Sequence, residues 1–252
     1  PVLASPFVLL ANMMSLAGQW NGNEDPSMLI IVSLFIGISS AYPFTYLLVS
    51  AALVSLDSNL EESGEVLAGS THPNSAGNGC IMRLAPVPMF YAADREQAVR
   101  YAAESARTTH GAAECLDACR LLAAMLCAAL EGADKESILR GQAEPWLSEP
   151  AIAALAEGAY FDKPAEAIRG SGYVVECLEA ALWCFHHTDS FEDAVLAAAN
   201  LGDDADTTAA VCGQLAGAHY GIAGIPGRWL QKLAARSMIE QMAMALDRGE
   251  SG

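Results

Sequence analysis

From residue 61 onward, apolar residues recur every three or four positions, and this spacing restricts the fold more than any other feature of the chain. One such stripe contains Leu116, Cys119, Ala123, Leu126 and Leu130. The polar side chains of Glu114, Asp117 and Arg120 fall off it. Apolar residues make up 53% of the chain and aromatic residues only 7%. Ala and Leu are abundant among them, and both are strong helix formers. The sequence therefore predicts an all-α protein.

Local signals predict where several helices begin and end. Ser190 is a suitable N-cap for a helix over 191–199, because its hydroxyl can accept a backbone N–H. A helix rich in small residues is predicted over 208–220, and a last helix over roughly 228–247. Three prolines divide 141–170 into short pieces, namely Pro145, Pro150 and Pro164. Because the chain has no internal repeat and no low-complexity linker, we expect a single domain over 1–252.

The net charge of −17, from 30 acidic and 13 basic residues, argues against nucleic acid as a partner. An acidic protein that holds an anionic ligand needs local help from metal ions, backbone N–H groups or an arginine. The seven cysteines form no CxxC pair, so we expect buried, reduced thiols. A reducing cytoplasm is the compartment that this cysteine usage favours.

Residues 1–60 differ in character from the rest of the chain, and no residue between Pro26 and Leu56 is charged. An apolar run over 28–54 is long enough for a membrane span. However, Pro43 interrupts the run and no basic flank orients it. A buried helix pair is the preferred interpretation, and a membrane span or a truncated N-terminal part are the alternatives.

The densest chemical signal is an acidic loop ahead of the small-residue helix, with the sequence Asn200-Leu201-Gly202-Asp203-Asp204-Ala205-Asp206-Thr207-Thr208. Carboxylates this close repel one another and tolerate ionisation best around a cation. An oxygen-only set favours Mg²⁺ or Mn²⁺ over zinc. The alternative is plain N-capping, in which Asp206 or Thr207 would accept helix N–H bonds.

A glycine turn, Gly77-Asn78-Gly79, supplies positions that tolerate unusual backbone angles, and its N–H groups can form a nest for phosphate. It is followed by Arg83, the first cation of the chain. A third cluster, Arg107-Thr108-Thr109-His110-Gly111, offers a histidine in a polar hinge between two predicted helices. A bare turn and a structural histidine are the alternative interpretations.

These three clusters, in this order, resemble the ADP-ribosylglycohydrolase family. The matching stretches are SAGNGCIMRLAPV at 75–87, RTTHGA at 107–112 and NLGDDADTTAAVCGQLAGAHYG at 200–221. The resemblance covers roughly 62–235 and implies an all-α, single-domain orthogonal helical bundle. It also implies a two-metal centre, usually of Mg²⁺, with Mn²⁺ as a second choice. The expected activity is metal-dependent hydrolysis of the bond between ADP-ribose and a protein side chain or related acceptor.

The resemblance assigns roles residue by residue. The implied metal ligands in the acidic loop are Asp204, Asp206 and Thr207. The implied substrate-binding residues are Gly77, Asn78, Gly79, Met82, Arg83 and His110. Asp204 and Asp206, with Asp25 second, are also the expected catalytic carboxylates. The partner would be an ADP-ribosylated protein or an ADP-ribose-containing small molecule.

The N-terminal part departs from the family pattern, which has a Thr-Asp-Asp-Thr metal motif after a tryptophan. Here Asn23, Glu24 and Asp25 stand in place of its Thr, Asp and Asp if the alignment is anchored on Ser27-Met28. Glu24 and Asp25 are then the expected further metal ligands. This departure leaves an alternative open, a catalytically degenerate ADP-ribose binder or structural homologue.

Overall fold

The computed structural model describes residues 67–140, 142 and 145–248. Its helices, in chain order, are α1 Gly79–Met82, α2 Pro86–Phe90, α3 Arg95–Arg107, α4 Ala113–Leu130, α5 Lys135–Arg140, α6 Pro150–Ala156, α7 Val174–His186, α8 Phe191–Ala199, α9 Ala205–Gly224, α10 Gly227–Lys232 and α11 Arg236–Arg248. Two short 3₁₀ turns occupy Pro73–Ser75 and Ala165–Ala167. The predicted all-α class is confirmed. Glu24, Asp25 and the run 28–54 lie outside the described residues, so the assignments made there, and the single domain over 1–252, stay predictions.

The centre of the bundle is formed by α4 and α9, which are buried along most of their length. Helix α3 packs along α4, and α7 and α8 pack along α9. The small side chains of α9 permit this close approach. A Cβ added to Gly170 would lie 2.6 Å from the Thr208 Oγ1 of α9, so only glycine lets that segment run so near the helix. The predicted small-residue helix over 208–220 is confirmed. It begins three residues earlier, at Ala205, and its regular part ends at Gly221, where φ of 68° is non-helical.

The sequence places Asp117 off the apolar stripe, yet its side chain is fully buried. Its Oδ2 accepts hydrogen bonds from the backbone N–H groups of Ser148 and Glu149, at 2.6 and 2.8 Å. Its Oδ1 accepts from Arg120 Nη1 at 2.6 Å. A buried carboxylate needs such partners to offset its desolvation. Asp117 therefore fastens the segment that enters α6 onto the central helix.

We expect Asp117→Asn to lower the free energy of unfolding by about 2–3 kcal/mol, the usual worth of a buried hydrogen bond to a charged group. The amide can satisfy either the backbone donors or Arg120 with its one oxygen, but not both. Urea denaturation measures the change. Asp134→Asn is the matched control, because Asp134 caps Ser137 N–H at an exposed position where Asn caps as well as Asp. An equal loss in both variants would contradict this role.

The prediction of one continuous helix over 228–247 is wrong. The chain forms α10 and α11, separated by Leu233 in an extended conformation and Ala235 at φ 55°. The N–H groups of Met238 and Ile239 donate to the Ala235 carbonyl, so the new helix starts there. The break turns Ile239 into the core, where it is fully buried. No glycine or proline marks the break at Ala235, so the sequence offers no local signal for it.

All seven cysteines are free, buried thiols, as predicted. They lie on α1, α4, α7 and α9, where they fill space between helices as small apolar groups. Across 67–140, 142 and 145–248, no helix combines the length and apolarity that a membrane crossing requires.

Candidate functional site

The acidic loop turns sharply before α9 through two residues with left-handed backbone, Gly202 at φ 80° and Asp203 at φ 53°. Asp204 then takes the N-cap position, and its own N–H donates to the Gly170 carbonyl at 2.8 Å. Its carboxylate makes no capping bond to the helix backbone. The capping alternative expected Asp206 or Thr207 to accept helix N–H bonds, but the N-cap residue is Asp204, whose side chain is available for other partners. Of the two expected residues, Asp206 accepts the neighbouring Thr207 N–H.

Two side chains hold the Asp204 carboxylate. Asn78 Nδ2 donates to Oδ2 at 2.6 Å, and the Thr207 hydroxyl donates to Oδ1 at 3.0 Å. Asn78 and Asp204 are 126 positions apart in sequence, so the bond joins the glycine turn to the acidic loop. The Thr207 hydroxyl also lies 3.7 Å from Met82 Sδ. The structure thus brings four of the predicted site residues together.

Asp206 lies beside Asp204 in the first turn of α9. Burial raises the pKa of the Asp206 carboxyl above its usual range, and the hydrogen bond and charge of Asp204 raise it further. Its Oδ1 accepts from the Thr207 N–H at 3.0 Å, which opposes that shift only in part. The folded protein therefore holds two carboxylates in repulsive contact, an arrangement that a bound cation relieves.

The glycine turn is fastened to the segment before α7. Asn78 N–H donates to the Gly172 carbonyl at 3.0 Å, and Val174 N–H donates to the Ala76 carbonyl at 3.0 Å. The Gly77 N–H donates to Ser75 at 2.8 Å. Two of the N–H groups predicted to form a phosphate nest thus donate hydrogen bonds to carbonyl groups of the protein itself. The nest stays a prediction, and Gly79 at the start of α1 is the donor that the turn can still offer.

The ring of His110 packs against the turn, and the two glycines make room for it. A Cβ on Gly79 would lie 3.2 Å from His110 Nε2, and one on Gly77 would lie 3.4 Å from the same atom. Burial lowers the pKa of His110, which favours the neutral form of the ring. The Thr109 hydroxyl lies 2.7 Å from Nδ1. Nε2 is therefore the ring atom that faces the glycine turn.

Arg83 is half-buried behind this histidine and contacts the protein itself. Its Nη2 donates to Thr109 Oγ1 at 2.7 Å and to the Ser105 carbonyl at 3.1 Å. Because the Thr109 oxygen accepts from Arg83, its hydrogen is available to His110 Nδ1, which favours the ring proton on Nε2. Arg83 thus orients His110 through Thr109, a role that sequence reasoning did not assign.

Three further residues of the site were missed from the sequence. Gln214 is fully buried on α9, and its Oε1 accepts from Ala85 N–H at 2.9 Å. Its Nε2 donates to the carbonyls of Ile81 and Met82, both at 3.1 Å. On the other side of the turn, the Tyr173 hydroxyl donates to Glu114 Oε1 at 2.6 Å. Only Gln214 left a signal, as a long polar side chain in a helix rich in small residues.

Tyr173 and Glu114 border a cavity of about 630 Å³ beside the glycine turn. The residues that line it are Pro73, Asn74, Ser75, Ala76, Gly77, Glu114, Gly172 and Tyr173. A Cβ on Gly172 would lie 3.9 Å from Asp204 Oδ2, so the cavity wall is adjacent to the acidic loop. The site therefore has a carboxylate pair at one end and an open cleft next to it.

The described residues supply two carboxylates and one hydroxyl at the acidic loop. Among those residues, no group of three or more His, Cys, Asp or Glu side chains is placed to hold a metal ion. The donors present are of the type that Mg²⁺ and Mn²⁺ prefer. A complete set would need further oxygen ligands, and the predicted candidates, Glu24 and Asp25, lie outside the described part of the chain.

Comparison with known proteins shows the family of the chain. The family model "ADP-ribosylglycohydrolase" matches residues 37–252. The chain is 44% identical over 178 residues to "ADP-ribosylarginine hydrolase Tri1" of Pseudomonas putida (strain GB-1), which is 71% of this chain and 47% of that protein. It is 30% identical over 158 residues to "ADP-ribosyl-[dinitrogen reductase] glycohydrolase" of Rhodospirillum rubrum, which is 63% of this chain and 51% of that protein. The chain thus spans about half the length of these curated relatives.

A solved structure, "ADP-ribosylglycohydrolase-related protein complex", shares the fold with a TM-score of 0.72 and 33% sequence identity. The match covers 96% of this chain and 95% of that one.

Proposed function

The chain belongs to the ADP-ribosylglycohydrolase family, and we propose that it hydrolyses the glycosidic bond between ADP-ribose and an arginine side chain of a protein. Two observations support arginine as the acceptor. The relatives from Pseudomonas putida and Serratia proteamaculans, at 44% and 38% identity, are both named ADP-ribosylarginine hydrolases. The acidic surroundings of the site also favour a cationic acceptor over an anionic one.

The observation that carries the proposal is the 2.6 Å hydrogen bond from Asn78 Nδ2 to Asp204 Oδ2. It joins the two most distant family motifs into one site. A substrate held by the glycine turn would then present its distal ribose to the carboxylates of Asp204 and Asp206. Carboxylates beside the anomeric carbon stabilise the oxocarbenium-like charge that develops when a glycosidic bond breaks.

We further propose that Mg²⁺, or Mn²⁺, binds at the acidic loop, held by Asp204, Asp206 and Thr207 with Glu24 and Asp25. When bound, such ions supply positive charge for the ribose hydroxyls and lower the pKa of a bound water. The raised pKa of Asp206 fits this role, because the energetic penalty of ionising it is repaid by a cation. Asn78 and Thr207 fix the direction of the Asp204 oxygens.

His110 supplies a neutral ring at the glycine turn. With its proton on Nε2, it can donate a hydrogen bond to a phosphate oxygen without adding a full charge. The Arg83–Thr109 pair behind it keeps that tautomer. Gly77 and Gly79 leave the space that the ring occupies. Together these residues would position the diphosphate so that the ribose reaches the acidic loop.

The test is release of free ADP-ribose from a peptide ADP-ribosylated on arginine, followed by chromatography with and without Mg²⁺. We expect release that depends on the metal and that stops after chelation with EDTA. Tight binding of ADP-ribose in calorimetry without release from the peptide would replace the hydrolase with the alternative, a degenerate binder. Neither binding nor release would reject both.

Gly79→Ala should weaken ADP-ribose binding by roughly 3- to 10-fold, because the added Cβ lies 3.1 Å from His110 Cε1 and displaces the ring. Stability should change little, since Gly79 begins α1 and Ala is a good helix former. Calorimetry with ADP-ribose measures the affinity. Gly227→Ala is the matched control, since Gly227 also begins a helix and its Cβ would meet no atom within 4 Å. Unchanged affinity in Gly79→Ala would remove His110 from the ligand site.

A further inference from the structure

Three of the seven cysteines meet behind the glycine turn. Cys80 lies on α1, and Cys115 and Cys119 lie four positions apart on α4, a spacing that places their side chains on one face of that helix. All three side chains are buried. The Cys115 and Cys119 thiols hydrogen-bond to the Cys80 side chain. The structure thus gathers three sulfur atoms where the glycine turn contacts the central helix.

Two of these sulfur atoms also contact the turn itself. Cys80 Sγ lies 3.6 Å from the carbonyl oxygen of Gly77, and Cys115 Sγ lies 3.4 Å from the same oxygen. Gly77 is at the same time a lining residue of the cleft beside the acidic loop. The sulfur atoms of Cys80 and Cys115 are therefore adjacent to each other and lie directly beneath the wall of the cleft.

Arg83 places a positive charge beside Cys80. Its guanidinium donates hydrogen bonds to Thr109 Oγ1 and to the Ser105 carbonyl, and both of these groups are neutral. A half-buried cation whose hydrogen-bond partners are neutral stabilises a neighbouring anion. A thiolate is the anion that Cys80 can supply.

The pKa of Cys80 is consistent with these surroundings. Burial raises the pKa of its thiol, and the hydrogen bonds from Cys115 and Cys119 act in the opposite direction. Together with the nearby His110 and Arg83, these bonds hold the pKa well below its usual range. A thiolate is the form of cysteine that reacts with peroxide, so Cys80 has the properties of a reactive cysteine.

We propose that Cys80 and Cys115 form a reversible redox pair, in which hydrogen peroxide joins the two residues as a disulfide and thereby disables the glycine turn. The Cys80 thiolate attacks one peroxide oxygen and hydroxide leaves, which gives a sulfenic acid at Cys80. Cys115 then attacks the Cys80 sulfur, and the hydroxyl group leaves as water with the Cys115 proton. Two thiols and one peroxide thus yield one disulfide and two waters. A transient, redox-sensing disulfide is compatible with a reducing cytoplasm.

The disulfide acts on the turn through Gly77. Bonded sulfur atoms lie about 2.0 Å apart and keep no S–H hydrogen, so neither can donate to the Gly77 carbonyl. Gly77 adjoins the ring of His110, and the next residue, Asn78, holds Asp204. A shift of the turn therefore changes both ends of the site. The resulting loss of ADP-ribose affinity rests on the proposed function, whereas formation of the disulfide does not.

The first test maps the disulfide in wild type. The protein is treated with hydrogen peroxide, its remaining thiols are alkylated, and a protease that cuts after acidic residues separates Cys115 from Cys119 at Asp117. Mass spectrometry should find a peptide pair that links Cys80 to Cys115 and that dithiothreitol removes. A link from Cys80 to Cys119, or a Cys80 that stays reduced, would overturn the assignment.

The second test measures ADP-ribose binding by calorimetry before and after peroxide. We expect oxidation to weaken binding by about tenfold or more, and dithiothreitol to restore it. Recovery with dithiothreitol distinguishes the disulfide from oxidation of Met82, because dithiothreitol does not replace the reductases that a methionine sulfoxide requires. A mapped disulfide with unchanged affinity would show that the pair does not control the turn.

Two variants complete the design. Cys115→Ser keeps a hydroxyl that can donate to the Gly77 carbonyl, so it should bind ADP-ribose like wild type and lose the linked peptide pair. Cys127→Ala, on the same helix, is the matched control, because burial raises the pKa of Cys127 to about 12 and its thiol stays protonated. It should form the disulfide like wild type. If the reduced wild type does not bind ADP-ribose, the proposed function fails separately, and the redox pair is judged by the mapped disulfide alone.

Discussion

Replacing Asp204 with Asn should lower the release of ADP-ribose from an arginine-linked peptide by about 100-fold or more, the usual cost of removing a group that stabilises transition-state charge. The variant keeps the size of the side chain and one oxygen for either Asn78 or Thr207. It loses the negative charge that attracts a divalent cation and that stabilises the developing positive charge on the ribose. Steady-state rates at saturating Mg²⁺ measure the effect.

The same comparison separates a metal site from a structural cap. Wild type should gain thermal stability with added Mg²⁺ or Mn²⁺ by mass action, and Asp204→Asn and the double variant with Asp206→Asn should not. Without metal the double variant should be at least as stable as wild type. Burial, and then the neighbouring Asp204 carboxyl, raise the pKa of Asp206, and neither penalty applies to a neutral amide.

Asp203→Asn is the matched control for this loop. Asp203 is exposed and pairs with Arg169 across 3.4 Å, so its charge is screened by solvent. Its rate and its response to metal should equal those of wild type. Flat melting curves against metal for all of these proteins would reject the metal site. Loss of activity in Asp203→Asn as large as in Asp204→Asn would show that the loop acts only through its summed charge.

Gln214→Leu should lower the free energy of unfolding by about 2–6 kcal/mol, the largest stability effect that we expect from a single change outside the apolar core. Leucine has a similar volume but no polar atoms. It removes the partner of the Ala85 N–H and of the Met82 carbonyl, whereas the Ile81 carbonyl still accepts from the Leu84 N–H at 3.4 Å. Each buried group without a partner costs about 1–3 kcal/mol. Urea denaturation followed by circular dichroism measures the change.

The matched control for this change is Gln241→Leu on α11, where the amide is exposed and makes one long bond to Ser237. Its stability should stay within about 0.5 kcal/mol of wild type. Gln214→Glu is also informative, since its carboxylate can still accept from Ala85 but cannot donate to the two carbonyls. A loss below about 1 kcal/mol in Gln214→Leu would mean that water replaces the missing bonds.

Features set by neighbouring residues could be predicted from the sequence. The helix over 191–199 occurs at Phe191–Ala199, and the Ser190 hydroxyl accepts from Asp193 N–H at 3.0 Å, because capping is a contact between residues three positions apart. The prolines act as expected, with Pro150 at the first position of α6. The acidic loop could be predicted for the same reason, since its three carboxylates lie within four residues of one another in the chain.

Features that depend on distant packing could not be predicted. Asp117 lies off the apolar stripe in sequence, yet it is buried because the entry to α6 presents two N–H groups to it. The break at Ala235 is not marked by glycine or proline, and the helix that follows it buries Ile239 and packs against α2. In both cases the burial of one side chain depends on a segment that is not its neighbour in the sequence.

The sequence by itself determined the helical class, the family and the chemical character of the acidic loop and glycine turn, since helical periodicity and residue type are properties of short stretches. The tertiary structure decided how those stretches meet. It placed the Asn78 amide on Asp204, directed Arg83 to Thr109 instead of solvent, and set Tyr173 beside Glu114, 59 positions away in the chain. These contacts depend on how α4, α7 and α9 pack, and helix packing is a sum of many weak long-range contacts that no single motif encodes.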